Sequence, residues 1–143
     1  MASAPADPSP RFKRTSSDKE QGARFPLGRA FACARCGIAH AWRTQRNMRI
    51  HSLFALVAVV AGFLLRIDAQ AWCAVVVCIA LVFAAECFNT ALEAAVDLVT
   101  DDYHELARVA KDCAAGAVYL CAAGAVVVGV IVYLPPLVAL IWS

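Results

Sequence analysis

Along the chain, hydrophobic and polar positions change their rhythm four times, and each change predicts an element. Residues 1–28 have no period and are dense in Pro, Ser and charge, which predicts a disordered tail. From about Leu27 to Ile50, a helical wheel gathers Leu27, Phe31, Ala34, Ile38, Ala41 and Trp42 into one arc of roughly 100°, with Arg29 and Arg43 opposite. That is the pattern of an amphipathic helix lying in a membrane interface, and Gln45 falls on its apolar arc. Ser52–Leu65 follows as an uncharged run bounded by His51 and Arg66, short for a span unless continuity with the preceding helix extends it. A third apolar stretch begins at Ala71 and keeps its helical pattern through Asp97 without Gly or Pro. Cys113–Leu134 is the clearest span, uncharged and rich in Gly and Ala, with Pro135-Pro136 as its expected stop.

The predicted fold class is therefore an all-α membrane protein, with an interfacial amphipathic helix followed by three transmembrane helices. Composition agrees. Of 143 residues, 62% are hydrophobic and 17% charged, more apolar than a small soluble domain can hide from water. Charge divides the chain in two. Residues 1–51 hold ten Lys/Arg against three acids, whereas the remainder holds three Lys/Arg against eight acids. A basic head predicts a cytoplasmic N-terminus, with the Arg66-Ile67-Asp68 turn outside, the 98–112 segment inside and the C-terminus outside. The head lacks base-stacking or groove-reading elements, so nucleic acid is not an expected partner. No apolar stretch in residues 1–30 has the length of a signal-peptide core. Seven cysteines are scattered, five in or beside apolar runs where a thiol packs as a small hydrophobe. Cys33-x-x-Cys36 with His40 is half a zinc site, with no second pair to complete it.

The chemistry concentrates in the third stretch. Glu86, Asn89, Thr90, Glu93 and Asp97 share one helical face about 100° wide, and the other faces are apolar. With a helix start near Ala71, Glu86 lies roughly 22 Å along it, inside a hydrocarbon core of about 30 Å, while Glu93 reaches the inner boundary and Asp97 the cytosol. An acid at membrane depth costs on the order of 3 kcal/mol. Packing alone is served more cheaply by Ser or Ala, so a functional stripe is expected. Asp102-Tyr103-His104-Glu105 reads as a helix start, with Asp102 as cap and Glu105 at the third helical position. His104, Arg108 and Lys111 then share a face beside the acids, and Lys111-Asp112 stands where the last span begins. Carboxylates for Mg²⁺, a lysine and a carboxylate at lipid depth point to phosphoryl transfer. There is no G-x-x-x-x-G-K-[ST] loop, G-x-S-x-G or H-E-x-x-H.

Two segments carry a resemblance. Glu86-x-x-Asn89-Thr90-Ala91-Leu92-Glu93-x-x-Val96-Asp97, followed by Tyr103-His104-x-x-Ala107-x-x-Ala110-Lys111-Asp112-x-Ala114-Ala115, resembles the signature of the prokaryotic diacylglycerol kinase and undecaprenol kinase family. The likeness covers roughly residues 30–135. It implies a homotrimeric plasma-membrane kinase that uses MgATP to phosphorylate a lipid alcohol, serving lipid-carrier recycling or phospholipid metabolism. By the same resemblance Glu86 is the base that takes the hydroxyl proton and Asn89 helps to position it. Glu93 binds Mg²⁺ near the ATP phosphates, Lys111 and Asp112 meet the nucleotide, Asp102, Tyr103 and His104 touch it, and Asp97 closes the acidic stripe.

One position departs from the pattern. Arg43-Thr44-Gln45-Arg46-Asn47-x-x-Ile50-His51 resembles the family's R-T-E-x-N-x-x-x-H, in which the glutamate shares the metal. Gln45 offers Mg²⁺ a carbonyl oxygen without the charge, so either metal affinity is weaker, another acid substitutes, or activity is reduced. The same segment favours the undecaprenol branch. The alternative from another class is a non-catalytic membrane oligomer, a scaffold or ion conductor, that binds cations through its acids.

Overall fold

The computed structural model describes residues 27–100 and 102–142, and all its regular structure among them is helical. Four helices follow in order: α1 (Leu27–Thr44), α2 (Arg46–Leu64), α3 (Ala69–Val99) and α4 (Glu105–Ile141). The last three are long and apolar enough to cross a membrane. At about 1.5 Å per residue they measure roughly 28, 46 and 55 Å, so α3 and α4 outrun a hydrocarbon core of about 30 Å. The tail expected over residues 1–28 lies outside the described residues except for Leu27 and Gly28, which open α1.

The protein is inside out by the standard of a soluble domain. Phe54, Phe88 and Ile131 are each at least 68% exposed, while the largest fully buried side chain is the carboxylate of Glu86. Lipid is the solvent that makes this arrangement favourable, since outward apolar side chains then cost nothing and inward polar ones find partners. Of the stripe expected along α1, Leu27, Phe31, Ile38 and Trp42 are likewise exposed, whereas Ala41 is buried.

Three features differ from the sequence pattern. The helix expected from Leu27 to Ile50 is broken at Gln45, whose backbone is extended (φ −94°, ψ 122°). Gln45 N still donates to Ala41 O at 2.8 Å, closing α1, but its side chain leaves the helix surface for a partner on α3. The cap of α4 is His104, whose Nδ1 accepts from Leu106 N at 3.2 Å, in place of Asp102. Glu105 is then the first residue of α4, held by Tyr103 and Arg108 and not by a capping box. Third, α4 passes through Pro135-Pro136 and ends at Ile141. Each proline removes one backbone donor but keeps a helical φ, so the helix can run on through the pair.

The turn joining α2 to α3 is tightly specified. Arg66 adopts the left-handed conformation (φ 51°), Ile67 N reaches Gly62 O at 3.2 Å and Arg66 N reaches Phe63 O at 3.3 Å, the pairing of a Schellman ending. Asp68 then caps α3 by accepting from Ala71 N at 2.8 Å. Gly62 lets the Trp72 ring approach so closely that an added Cβ would stand 2.8 Å from it, and Trp72 also packs on Phe63 with ring centroids 4.8 Å apart. α3 and α4 form the most extensive pair. Tyr133 of α4 donates from its hydroxyl to Ala58 O of α2 at 2.8 Å, tying the third span to the first.

Candidate active site

The polar face of α3 is buried at its deep end and opens toward its C-terminus. Glu86 is 1% exposed, Asn89 8% and Thr90 9%, whereas the Asp97 side chain is 62% exposed. The gradient follows from position on one helix: each seven residues advance about 10 Å toward water. Thr90 returns its hydroxyl to Glu86 O at 2.8 Å, satisfying itself within α3 and leaving the carboxylates for other partners.

Those partners come largely from the start of α2 and the residue before it. Gln45 Nε2 donates to Glu93 Oε2 at 3.1 Å, and Asn89 Nδ2 donates to Glu93 Oε1 at 3.0 Å, so both oxygens of this carboxylate are engaged by neutral amides. Deeper in, His51 Nε2 stands 3.3 Å from Glu86 Oε1. That oxygen has no hydrogen-bond partner, nor has Asn89 Oδ1. A buried polar atom without a hydrogen bond is unfavourable by about 1–3 kcal/mol, so two such atoms on one face of α3 mark a place where a ligand would be welcome.

Apolar surface leads to this point. A groove of about 540 Å³ between α2, α3 and α4 runs from His51 past Phe54, Val82 and Val75 to Gly129 and Tyr133. Along α3 its lining runs from Val75 to Phe83, roughly 12 Å, and on α2 it begins at His51, the residue beside Glu86. Nearer the C-terminal end of α3, Lys111 Nζ meets Asp97 Oδ1 and joins the start of α4 to the end of α3. Beside it a second, mostly apolar cleft of about 470 Å³ is lined by Val96, Val99, Thr100, His104 and Leu106.

The residues anticipated from sequence thus fall into four groups. Asn89, Glu93 and Gln45 form one hydrogen-bonded cluster, with Glu86 one step deeper on the same face of α3 and facing His51. Asp97 and Lys111 pair at its outer edge. Asp112 is held by Arg108 at 2.6 Å and Tyr103 donates to Glu105 at 2.8 Å, an exposed group along the first turns of α4. Asp102 N and O bond to Thr100 in the connecting loop, and His104 is occupied as the cap. His51 was not among the anticipated site residues. Its signal was present as the last position of the R-T-Q-R-N-x-x-x-H segment, but nothing local shows that it faces an acid on another helix.

Metal binding can be weighed on the donors themselves. Among the described residues no group of three or more His, Cys, Asp or Glu side chains, Cys33, Cys36 and His40 among them, is arranged to hold a metal ion. Mg²⁺ is satisfied by one or two carboxylates, water and substrate phosphates, so the single carboxylate of Glu93 fits such an ion. Gln45 presents its nitrogen there, and only a turned amide would offer oxygen.

Residues 32–133 match the family model described as prokaryotic diacylglycerol kinase. The chain is 47% identical over 112 residues to a diacylglycerol kinase of Synechocystis, an alignment covering 78% of this chain and 64% of that protein. It therefore spans just under two thirds of that relative's length. Against the undecaprenol kinase of Bacillus subtilis it is 38% identical over 109 residues, covering 76% of this chain and 89% of the relative. Against the diacylglycerol kinase of Escherichia coli K12 it is 34% identical over 107 residues, covering 75% and 81%. With three apolar helices and the acidic cluster between them, this chain belongs to the prokaryotic diacylglycerol kinase family of membrane proteins.

Proposed function

We propose that the protein is an ATP-dependent lipid kinase that phosphorylates the hydroxyl of a lipid alcohol, undecaprenol or diacylglycerol, at the cytoplasmic face of the plasma membrane. The observation that carries this reading is Glu86: a carboxylate 1% exposed, with Oε1 in no hydrogen bond and only His51 Nε2 nearby, at the His51 end of an apolar groove. A lipid alcohol supplies both things that place lacks, a hydrogen-bonding hydroxyl for the carboxylate and hydrocarbon for the groove.

In this mechanism Glu86 is the general base. It takes the hydroxyl proton as the lipid oxygen bonds to the γ-phosphorus of ATP and the bridging P–O bond breaks to release ADP. Asn89, adjacent in the stripe, positions the reacting group. Glu93, with the amide of Gln45 turned to offer its oxygen, would hold Mg²⁺, which supplies neutralising charge to the ATP phosphates. Lys111 neutralises phosphate charge, while Asp97, Asp112 and the Asp102-Tyr103-His104 segment contact the nucleotide, whose base suits the cleft between Val96 and Leu106. The family resemblance supports a homotrimer, and the basic head supports a cytoplasmic N-terminus.

The test is phosphate transfer by purified protein in lipid, given ATP with undecaprenol or diacylglycerol. Transfer to one of them, abolished in Glu86→Gln, is the expected result. Equal transfer by wild type and Glu86→Gln would remove Glu86 as base. The rival, a non-catalytic cation-binding oligomer, is separated by heat: MgATP raises the melting temperature of a kinase by a margin that grows with its concentration.

A further inference from the structure

His51 has no part in the mechanism above, yet it is the cation-capable side chain at Glu86. It lies near the start of α2 with Nε2 3.3 Å from Glu86 Oε1, and it is 21% exposed where Glu86 is 1%. The register explains the meeting. α2 and α3 run antiparallel here, so stepping six residues from Gln45 to His51 matches stepping seven back from Glu93 to Glu86. One segment therefore reads both acids, the outer with an amide and the inner with an imidazole. The other charge felt at Glu86 is Glu93, an acid one step along the same face of α3, which opposes a second negative charge there and leaves His51 as the side chain that can offset it. Ala122 and Val126 of α4 and Val82 of α3 line the same groove without charge, and Glu93, the next acid on α3, is occupied by Gln45 and Asn89.

A carboxylate sealed from solvent tends to take up a proton, and a protonated Glu86 cannot accept one from substrate. A neighbouring imidazolium reverses that tendency by supplying opposite charge at contact distance. We propose that His51 is a positioning residue for the kinase reaction: as the imidazolium it keeps Glu86 ionised and directs its carboxylate to the groove where the lipid hydroxyl arrives. This rests on the reading of Glu86 as base. In the step itself the lipid O–H bond breaks and its proton passes to Glu86. The lipid oxygen bonds to the γ-phosphorus, the bridging electrons leave with ADP, and His51 keeps its proton throughout.

The experiment compares wild type with His51→Ala, His51→Gln and His51→Lys in lipid, by kinetics and by infrared detection of protonated carboxyl groups. Removing the imidazole should lower kcat on the order of 10²-fold while KM for ATP stays within about twofold. In His51→Ala and in the similarly sized but uncharged His51→Gln, a protonated-carboxyl band should appear that is lost when Glu86→Gln is added. His51→Lys, which keeps the charge, should lack the band and recover part of kcat. The inference is overturned by His51→Ala with wild-type kcat, or by loss of activity with no new band. Wild-type protein that transfers phosphate to neither lipid would instead defeat the kinase reading, and the infrared comparison would still decide whether His51 holds Glu86 ionised.

Discussion

Gln45 and Glu93 lie 48 residues apart in sequence and are joined by a hydrogen bond of 3.1 Å from the amide nitrogen to the carboxylate. The family glutamate at this position would place a second negative charge against Glu93, an arrangement that needs a cation to be comfortable. The amide makes the pair stable on its own. Gln45→Glu should therefore lower stability without Mg²⁺ by about 1–3 kcal/mol and gain Mg²⁺ affinity. Melting temperature measured against Mg²⁺ concentration checks both parts; a variant whose Mg²⁺ response matches that of wild type contradicts the argument.

Lys111 and Asp97 are 40% and 62% exposed, so their ion pair is screened and adds little to stability. Its use, if phosphate is the ligand, lies in binding. Lys111→Met should leave the melting temperature nearly unchanged and raise KM for ATP by roughly tenfold or more, the loss of about 1.4 kcal/mol of charge-assisted contact. Melting and steady-state kinetics on the same preparation separate the two effects.

The α2–α3 turn holds a non-glycine residue in the left-handed region at Arg66. Such a residue is unfavourable by roughly 1–2 kcal/mol, and glycine relieves it. Arg66→Gly is expected to stabilise the protein by about 1 kcal/mol, whereas Asp68→Ala, which removes the α3 cap, should cost about 1 kcal/mol. Reversible unfolding in detergent micelles would show opposite signs for the two substitutions.

Gly62→Ala places a methyl group 2.8 Å from the Trp72 ring. The ring also packs on Phe63 and has little freedom to withdraw, so destabilisation of about 1–3 kcal/mol is expected. Pairing Gly62→Ala with Trp72→Leu should recover most of that loss, and an additive double variant would show that the ring is not the obstacle.

How much of this was legible beforehand depends on whether the cause was local. The stripe from Glu86 to Asp97 could be read from spacing alone because it lies on one uninterrupted helix. The break at Gln45 could not, since nothing in Arg43-Thr44-Gln45-Arg46 opposes a helix and the cause is an acid on α3. Pro135-Pro136 reads as a stop, but the fixed φ of proline is itself helical, and the sequence does not show that the chain beyond the pair continues in the same helix. Asp102 and His104 are both plausible caps, and only the pull of Tyr103 and Arg108 on Glu105 decides between them. His51 stayed hidden because a histidine beside an apolar run carries no mark of its distant partner.

The unbroken run of α3 from Glu86 to Asp97 makes that stretch intolerant of length changes in a way that substitution does not reveal. Inserting one residue at Ala91 would turn everything beyond it by about 100°, swinging Glu93 away from Asn89 and Asp97 away from Lys111 while the helix itself survived. Inserting four would nearly restore the facing but lengthen the path between the inner and outer acids by roughly 6 Å. Natural variation between these two acids should accordingly be confined to exchange of one side chain for another, with gains and losses of residues falling in the turns at either end.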